Sequence, residues 1–298
     1  MVNQELVVSV GLPIYNAGEL TRTILESLIS QEYSNIEIII SDNASEDQTW
    51  SICQEYAARD NRIRLFQNSE NMEAIYNFHR VYELSTGKYF MWAAHDDYWD
   101  VKFIQKCVDK LEANPEAVMV YTDQTHINET TQEKKIVHFS ALNLTQHDRP
   151  QRIKSLLTFR PQLHAIIYGM YRREIIKPFL PFALIPSADL FFLFRVMLEG
   201  VAVSIPEVLY ERHVKPPLDF RTRMKTVRPN ENLPPNFVIV LQTFFVHLDV
   251  IRNLSETLWG KMKISLSATR YVFSTYGVHF FPRPLQPILR SIKRSLVG

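Results

Sequence analysis

Hydrophobic residues recur along the first part of the chain with two alternating periods. Leu6–Val10 is a short apolar run ended by Gly11 and Pro13, the pattern of a buried strand. From Gly18 to Gln31 the spacing changes, and Leu20, Ile24 and Leu28, with Leu25 and Ile29, fall on one helical face. Ile36–Ile40 returns to a β-rich run, and the polar Ser41–Asp47 reads as a loop. A helix is expected over Gln48–Arg59 and a strand over Arg62–Gln67. Met72–Leu84 is again helical, with Ile75, Phe78 and Tyr82 in step and Gly87 marking the stop. Tyr89–Ala94 and Ala117–Tyr121 are further apolar runs with another helix between them.

This alternation with short connections predicts a mainly parallel sheet covered by helices on both faces. In such sheets ligands gather beyond the carboxyl ends of the strands, where strand order reverses. The polar residues to inspect are therefore Tyr15 and Asn16, Asp42 and Asn43, and His95, Asp96 and Asp97.

The middle of the chain is less regular. Residues 123–148 read as hairpin or loop, Leu163–Tyr171 as a strand, Ser187–Glu199 as a helix and Val201–Ile205 as a strand. Pro216, Pro217, Pro234 and Pro235 bracket a linker-like stretch, after which Phe237–Ile251 and Leu258–Tyr276 have helical spacing. The expected organisation is one unit over 1–215, made of halves 1–123 and 124–215, then a mainly helical region over 216–298.

Composition narrows the class. With 298 residues, 46% hydrophobic and 22% charged, the chain can bury a sizeable core and is not a disordered one. A formal net charge of +1 argues against a protein that coats nucleic acid. Cys53 and Cys107 are the only cysteines, which excludes a disulfide framework and a cysteine zinc site and suits a reducing, cytoplasmic setting. The 8 glycines form neither GxGxxG nor GxxxxGK[ST], and HExxH and GxSxG are absent. The start lacks a basic n-region, and Phe237–Ile251, broken by Gln242, His247 and Asp249, is shorter than the ~20 residues a bilayer requires. No signal peptide or membrane span is expected.

The strand-end carboxylates remain. Asp96 and Asp97 repel one another at an exposed sheet edge and call for a cation or hydrogen-bond donors. A hard divalent ion, Mg²⁺ or Mn²⁺, would serve while keeping positions open for phosphate oxygens. The plainer alternative is a helix cap, with Asp97 or Asp100 starting a helix near Lys102. Asp42 could accept the imide N–H of a uracil or thymine ring, or sit in an ordinary Asx-rich turn.

Taken in order, VSVGLPIYNA, EIIISDNASEDQT, Asn71 and Asn77, and STGKYFMWAAHDDYW resemble the catalytic domain of glycosyltransferase family 2. The resemblance is closest over residues 5–123 and continues more loosely to about 213. It implies a GT-A fold, an α/β nucleotide-diphosphosugar-binding sandwich. It also implies that Pro13, Tyr15, Asn16 and Asn71 contact the nucleotide, that Asp42 binds the base, that Asp96 faces the ribose and that Asp97 binds the metal. His95 departs from the family's acidic pattern and either touches the diphosphate or acceptor or replaces a carboxylate. Asp189 falls where the family places its catalytic base; read without the family, Ser187 caps a helix and Asp189 complements its dipole. Leu209–His213 resembles the segment from which Arg212 and His213 would reach the diphosphate or metal, against the simpler reading of a solvated strand end. The small, Gly-containing continuation usual there is replaced by Val214-Lys215-Pro216. His164, in a stretch resembling the acceptor side, reads as a core histidine.

The expected activity is a metal-dependent, inverting transfer from a UDP-, dTDP- or GDP-sugar to a glycan or lipid-linked acceptor, in surface-polysaccharide assembly. Its rivals are a sugar-1-phosphate nucleotidyltransferase and an idle nucleotide-sugar-binding scaffold. The first lacks its Gly-rich basic loop in Leu12–Gly18, and the second would have lost its carboxylates. Residues 252–298 carry eight Lys and Arg against one acid, Glu256. The amphipathic stretch Arg283–Leu296 would contact an anionic membrane surface, or else pack on the catalytic unit or on a second copy in a homodimer.

Overall fold

The computed structural model describes residues 8–142, 144–145, 151–152, 163–182, 188–216 and 222, with the backbone alone at 163 and 164. The expected alternation opens the fold: β1 (Val8–Ile14), α1 (Leu20–Ile29), β2 (Ile36–Asp42), α2 (Thr49–Ala57), β3 (Ile63–Gln67), α3 (Ala74–Glu83) and β4 (Tyr89–Trp92). A two-residue strand, β5 (Tyr98–Trp99), precedes α4 (Phe103–Glu112), and β6 (Ala117–Asn128) forms a hairpin with β7 (Lys134–Val137). After 3₁₀ turns at Phe139–Ala141 and Leu163–Tyr168 come β8 (Met170–Arg172), α5 (Arg173–Ile176), a further 3₁₀ turn, α6 (Ala188–Glu199) and β9 (Val201–Val214).

All strands join one 9-stranded sheet in the order β3-β2-β1-β4-β8-β6-β9-β5, with β7 beside β6. The β3-β2-β1-β4 half is parallel throughout. β8 runs antiparallel to both β4 and β6 and joins this half to a mixed one, where β6 and β9 are parallel.

Period-two alternation divides the core between the two faces. Val8, Val10 and Leu12 of β1 and Tyr89 and Met91 of β4 pack with Ile24 and Leu28 of α1. Phe90 and Trp92 point the other way, into a second cluster with Val81 of α3 and Phe192 of α6. Trp92 lies edge-on to Phe90 at 4.8 Å and to Phe192 at 5.5 Å, so one indole ties α6 to the parallel half. Gly11 permits the close seating of α3: a Cβ there would lie 2.7 Å from Val81 Cγ2 and 2.9 Å from Phe90.

Two expectations fail in the second half. Leu163–Tyr171 is not one strand; it is a 3₁₀ turn over Leu163–Tyr168 followed by β8 alone. The run is apolar because its buried residues face the core whatever their conformation, a pattern that cannot separate strand from turn. The Gly169 N–H bonds back to Ile166 O at 3.0 Å, and its Cα packs so tightly on β6 that a Cβ would meet Val120 O at 2.4 Å. β9, expected to stop at Ile205, continues to Val214, because the polar ends of β6 and β9 pair with each other. Pro206, which cannot donate to a ladder, sits in a bulge: Ile205 pairs with Thr122, and the next pair is Val208 with Asp123.

Among the described residues no helix is long and apolar enough to cross a membrane. The expected helices Phe237–Ile251 and Leu258–Tyr276, the basic stretch Arg283–Leu296, and Ser187 lie outside the described residues, as does the side chain of His164.

Candidate active site

Register assembles the first part of the site. Ile14 pairs with Asp42, so Tyr15 and Asn16 leave β1 beside Asp42 and Asn43 at the end of β2. Pro13 is buried opposite Ser41, whereas Tyr15 and Asn16 are exposed. Asn16 adopts a φ of 45°, a left-handed conformation that Asn tolerates through local hydrogen bonds. Its N–H donates to Ser45 Oγ at 2.9 Å, and its side-chain oxygen accepts from the Glu46 N–H at 2.9 Å.

Asp42 turns inward and is fully buried. It accepts from the Ser45 hydroxyl at 2.5 Å, the Ser45 N–H at 3.1 Å and the Gln67 amide at 3.0 Å. The Asx-turn reading thus describes its present bonds, and a nucleobase would reach its carboxylate by displacing Gln67 or Ser45. Around it runs a chain of amides: Asn43 donates to Asn71 at 2.8 Å, Asn68 to Asn43 at 2.7 Å, and Asn77 to Ser41 O at 2.7 Å. Asn71 itself is exposed at the rim.

The acid pair follows β4, whose ladder with β1 is extended by the Ala93 N–H bond to Gly11 O at 2.8 Å. Both groups therefore stand at the same ends of neighbouring parallel strands. Asp100, not Asp97, accepts the Lys102 N–H before α4, at 2.9 Å, which leaves Asp97 for other partners. These come from β9: Asp97 accepts the Tyr210 hydroxyl and, at 2.9 Å, the backbone N–H of His213. Burial pushes the Asp97 carboxyl up to about 7; the Tyr210 bond opposes this, the Asp96 charge adds to it, and Arg212 lies near enough to pull it down. Burial acts on Asp96 in the same sense, but its ion pair with Lys215 Nζ at 2.5 Å prevails and holds it below the usual range. His95 is half-buried, and its pKa is lowered chiefly by that burial, against the pull of Asp96.

Asp189 lies in the first turn of α6 and is half-buried, its Oδ1 accepting the Leu190 N–H at 2.8 Å. Tyr168 lies within electrostatic reach of both Asp189 and the acid pair. Burial of the Tyr168 hydroxyl holds its pKa far above the usual phenol value, and the charges of Asp97, Arg212, Asp96 and Asp189 all act on it. Its ring is 5.9 Å from that of Tyr210 and 6.5 Å from that of Trp99. Tyr168, Tyr210 and Lys215 were not among the expected site residues. Tyr168 is hidden in an apolar run, while Tyr210 and Lys215 flank Arg212 and His213, a proximity that could have drawn attention to them.

The donor set suits a hard divalent cation. Asp97 is a buried carboxylate whose two hydrogen bonds come from neutral donors, and burial is the main cause of its raised pKa. Among the described residues no group of three or more His, Cys, Asp or Glu could hold a metal ion. An ion here would take one or two protein ligands and complete its shell with phosphate oxygens and water, as Mg²⁺ commonly does.

Comparison with known proteins agrees with this architecture. The family model described as Glycosyl transferase family 2 matches residues 9–178. The uncharacterized glycosyltransferase YibD of Escherichia coli K12 is 30% identical over 178 residues, covering 59% of this chain and 51% of that protein. The UDP-Glc:alpha-D-GlcNAc-diphosphoundecaprenol beta-1,3-glucosyltransferase WfaP of Escherichia coli is 34% identical over 93 residues, 31% of this chain and 36% of that protein. The chain thus spans about half the length of the first of these relatives and less of the second. Among solved structures, S. aureus TarS in complex with UDP-GlcNAc is similar with a TM-score of 0.71 at 17% identity, over 98% of this chain and 81% of that one. The mannosyltransferase PcManGT from Pyrobaculum calidifontis, in complex with GDP-Man and Mn²⁺, gives 0.51 at 15% identity, over 98% and 84%. At such identities the likeness speaks for the fold, which is the GT-A fold.

Proposed function

The chain belongs to glycosyl transferase family 2, and from that premise we propose that it moves a sugar from a nucleoside-diphosphate donor to an acceptor hydroxyl, with inversion and with a divalent metal. The observation that carries this reading is the pair of acids after β4 that β9 holds, Asp97 by Tyr210 and the His213 N–H and Asp96 by Lys215. The acid pair lies beyond the strand ends, where a charged, polyhydroxylated donor would meet its acceptor.

The nucleotide lies across the ends of β1, β2 and β4, in contact with Pro13, Tyr15, Asn16 and Asn71. Asp42 takes the base's imide N–H on giving up Gln67. Asp96 accepts from the ribose hydroxyls, and Arg212 and neutral His95 face the diphosphate. Asp97 with His213 would hold Mg²⁺ or Mn²⁺, which would supply positive charge to the departing nucleoside diphosphate. The acceptor hydroxyl attacks the anomeric carbon opposite the leaving group, and Asp189 takes its proton as general base, a role typically worth about 10²–10⁴-fold. Attack from the opposite side by a single nucleophile gives inversion.

TarS, PcManGT and WfaP are named with UDP-GlcNAc, GDP-Man and UDP-Glc, and WfaP with a diphosphoundecaprenol-linked acceptor. They motivate testing UDP-, dTDP- and GDP-sugars first, and glycan or lipid-linked acceptors. Purified protein should slowly hydrolyse one donor of that panel when Mn²⁺ is present, and faster turnover on adding an acceptor would identify the acceptor class. Failure to bind or turn over any of the panel with Mg²⁺ or Mn²⁺ would refute the reading.

A further inference from the structure

The last strand ends in a fixed position beside the acid pair. Its register with β6 runs to the pair Asn128–Val214, and the Glu129 N–H then bonds Val214 O at 3.1 Å. Lys215 follows at once, and its Nζ lies 2.5 Å from Asp96 Oδ2. The Lys215 side chain is 57% exposed and that of Asp96 17%, so an exposed ammonium meets a carboxylate set into the rim. An ion pair this exposed contributes little to folding. Its placement bears on charge instead, because it sets one cation against two adjacent carboxylates where anionic phosphates would arrive. Lys is a compact point charge on a flexible four-carbon stem, well suited to exchanging one oxyanion for another.

We propose that Lys215 is a cation supplied by the chain itself for the donor's diphosphate: it is parked on Asp96 and passes to a phosphate oxygen when the nucleotide binds. The swap frees Asp96 for the ribose and brings positive charge to the diphosphate without a metal. This assignment rests on the donor-binding reading above. It has two consequences: the nucleotide binds measurably without divalent ions, and Lys215 competes with a metal for the acid pair.

The test is calorimetric titration of the full chain with UDP, dTDP and GDP, in EDTA and in Mn²⁺, for wild type, Lys215→Met and Lys215→Arg. The nucleotide that wild type binds in Mn²⁺ should also bind in EDTA. Lys215→Met should lose about tenfold in affinity in EDTA, the size of one charge-assisted contact, and less in Mn²⁺. Lys215→Arg should restore most of the loss. In the absence of nucleotide, Lys215→Met should bind Mn²⁺ several-fold more tightly, read by paramagnetic resonance of the free ion. Wild type that binds nucleotide in Mn²⁺ but not in EDTA, equal affinities of wild type and Lys215→Met in EDTA, or unchanged Mn²⁺ affinity would each overturn the role of Lys215 alone. Wild type that binds none of the three nucleotides even in Mn²⁺ would overturn the donor reading and this assignment with it. Lys215→Gln replaces the Met variant if the latter does not fold.

Discussion

In the parallel half of the sheet, β3-β2-β1-β4, polar side chains at the strand ends bond to neighbouring loops of the same half. Asp42 is held by Ser45 and Gln67, and Asn43 by Asn68 and Asn71. In the mixed half, β8-β6-β9-β5, the corresponding bonds reach across, from two side chains and one backbone N–H. Tyr210, His213 and Lys215 leave β9 to hold Asp97 and Asp96, which follow β4. The first arrangement is held together by bonds within its own half. The second makes the acid pair depend on a strand that follows it by more than a hundred residues. On the proposed function, the first half would contribute most to nucleotide binding and the second most to the reaction.

The comparison is sharpened most by Asp189→Asn. Turnover should fall by about 10²–10⁴-fold while donor affinity stays within about threefold of wild type, measured by steady-state kinetics and calorimetry. A parallel loss of both would place Asp189 in donor binding instead. Next in size is Trp92→Ala, which removes the ring that joins the halves through Phe90, Phe182 and Phe192. Urea unfolding should show one cooperative transition destabilised by about 3–5 kcal/mol. Two separated transitions would mean that the halves fold independently.

Asp97→Asn tests the acid that bridges them. Its carboxyl titrates at 3.8 when unperturbed and at about 7 in the fold, so the folded chain keeps this proton to higher pH. The associated stability is full below the lower value and is lost as pH rises through the upper one. In EDTA, Asp97→Asn should therefore unfold at a higher temperature than wild type at pH 8 and show no such gain near pH 4. At 1.36 kcal/mol per pKa unit the gain is at most about 4 kcal/mol. A gain independent of pH would assign it to something other than ionisation. The smallest effect belongs to the binding bed: Asp42→Asn should weaken donor binding about tenfold and leave the turnover of bound donor nearly unchanged, the cost of one hydrogen bond to a charged acceptor.

The parallel half was largely legible in the sequence because its strands and helices bury alternating or helically spaced residues, and those periods are visible locally. Strand ends found this way led directly to Tyr15, Asn16, Asp42 and the acid pair. The burial of Asp42 was not legible, since whether a loop carboxylate faces solvent or its own turn depends on Ser45 and Gln67 folding back on it. In the mixed half, Leu163–Tyr171 has no period that separates strand from 3₁₀ turn, and the polar end of β9 looks like solvated loop until β6 is laid beside it.

From its sequence alone the chain determined a parallel α/β scaffold, the motifs of its family and the acids at the strand ends, because each of these is written in residues close together along the chain. Only the tertiary structure decided that Asp97 is buried under Tyr210 and His213, and that Asp96 meets Lys215. Those contacts depend on strand register. They join segments too far apart for any local period to encode, and the charges they bring together acquire their chemistry from that shared, partly dehydrated surrounding.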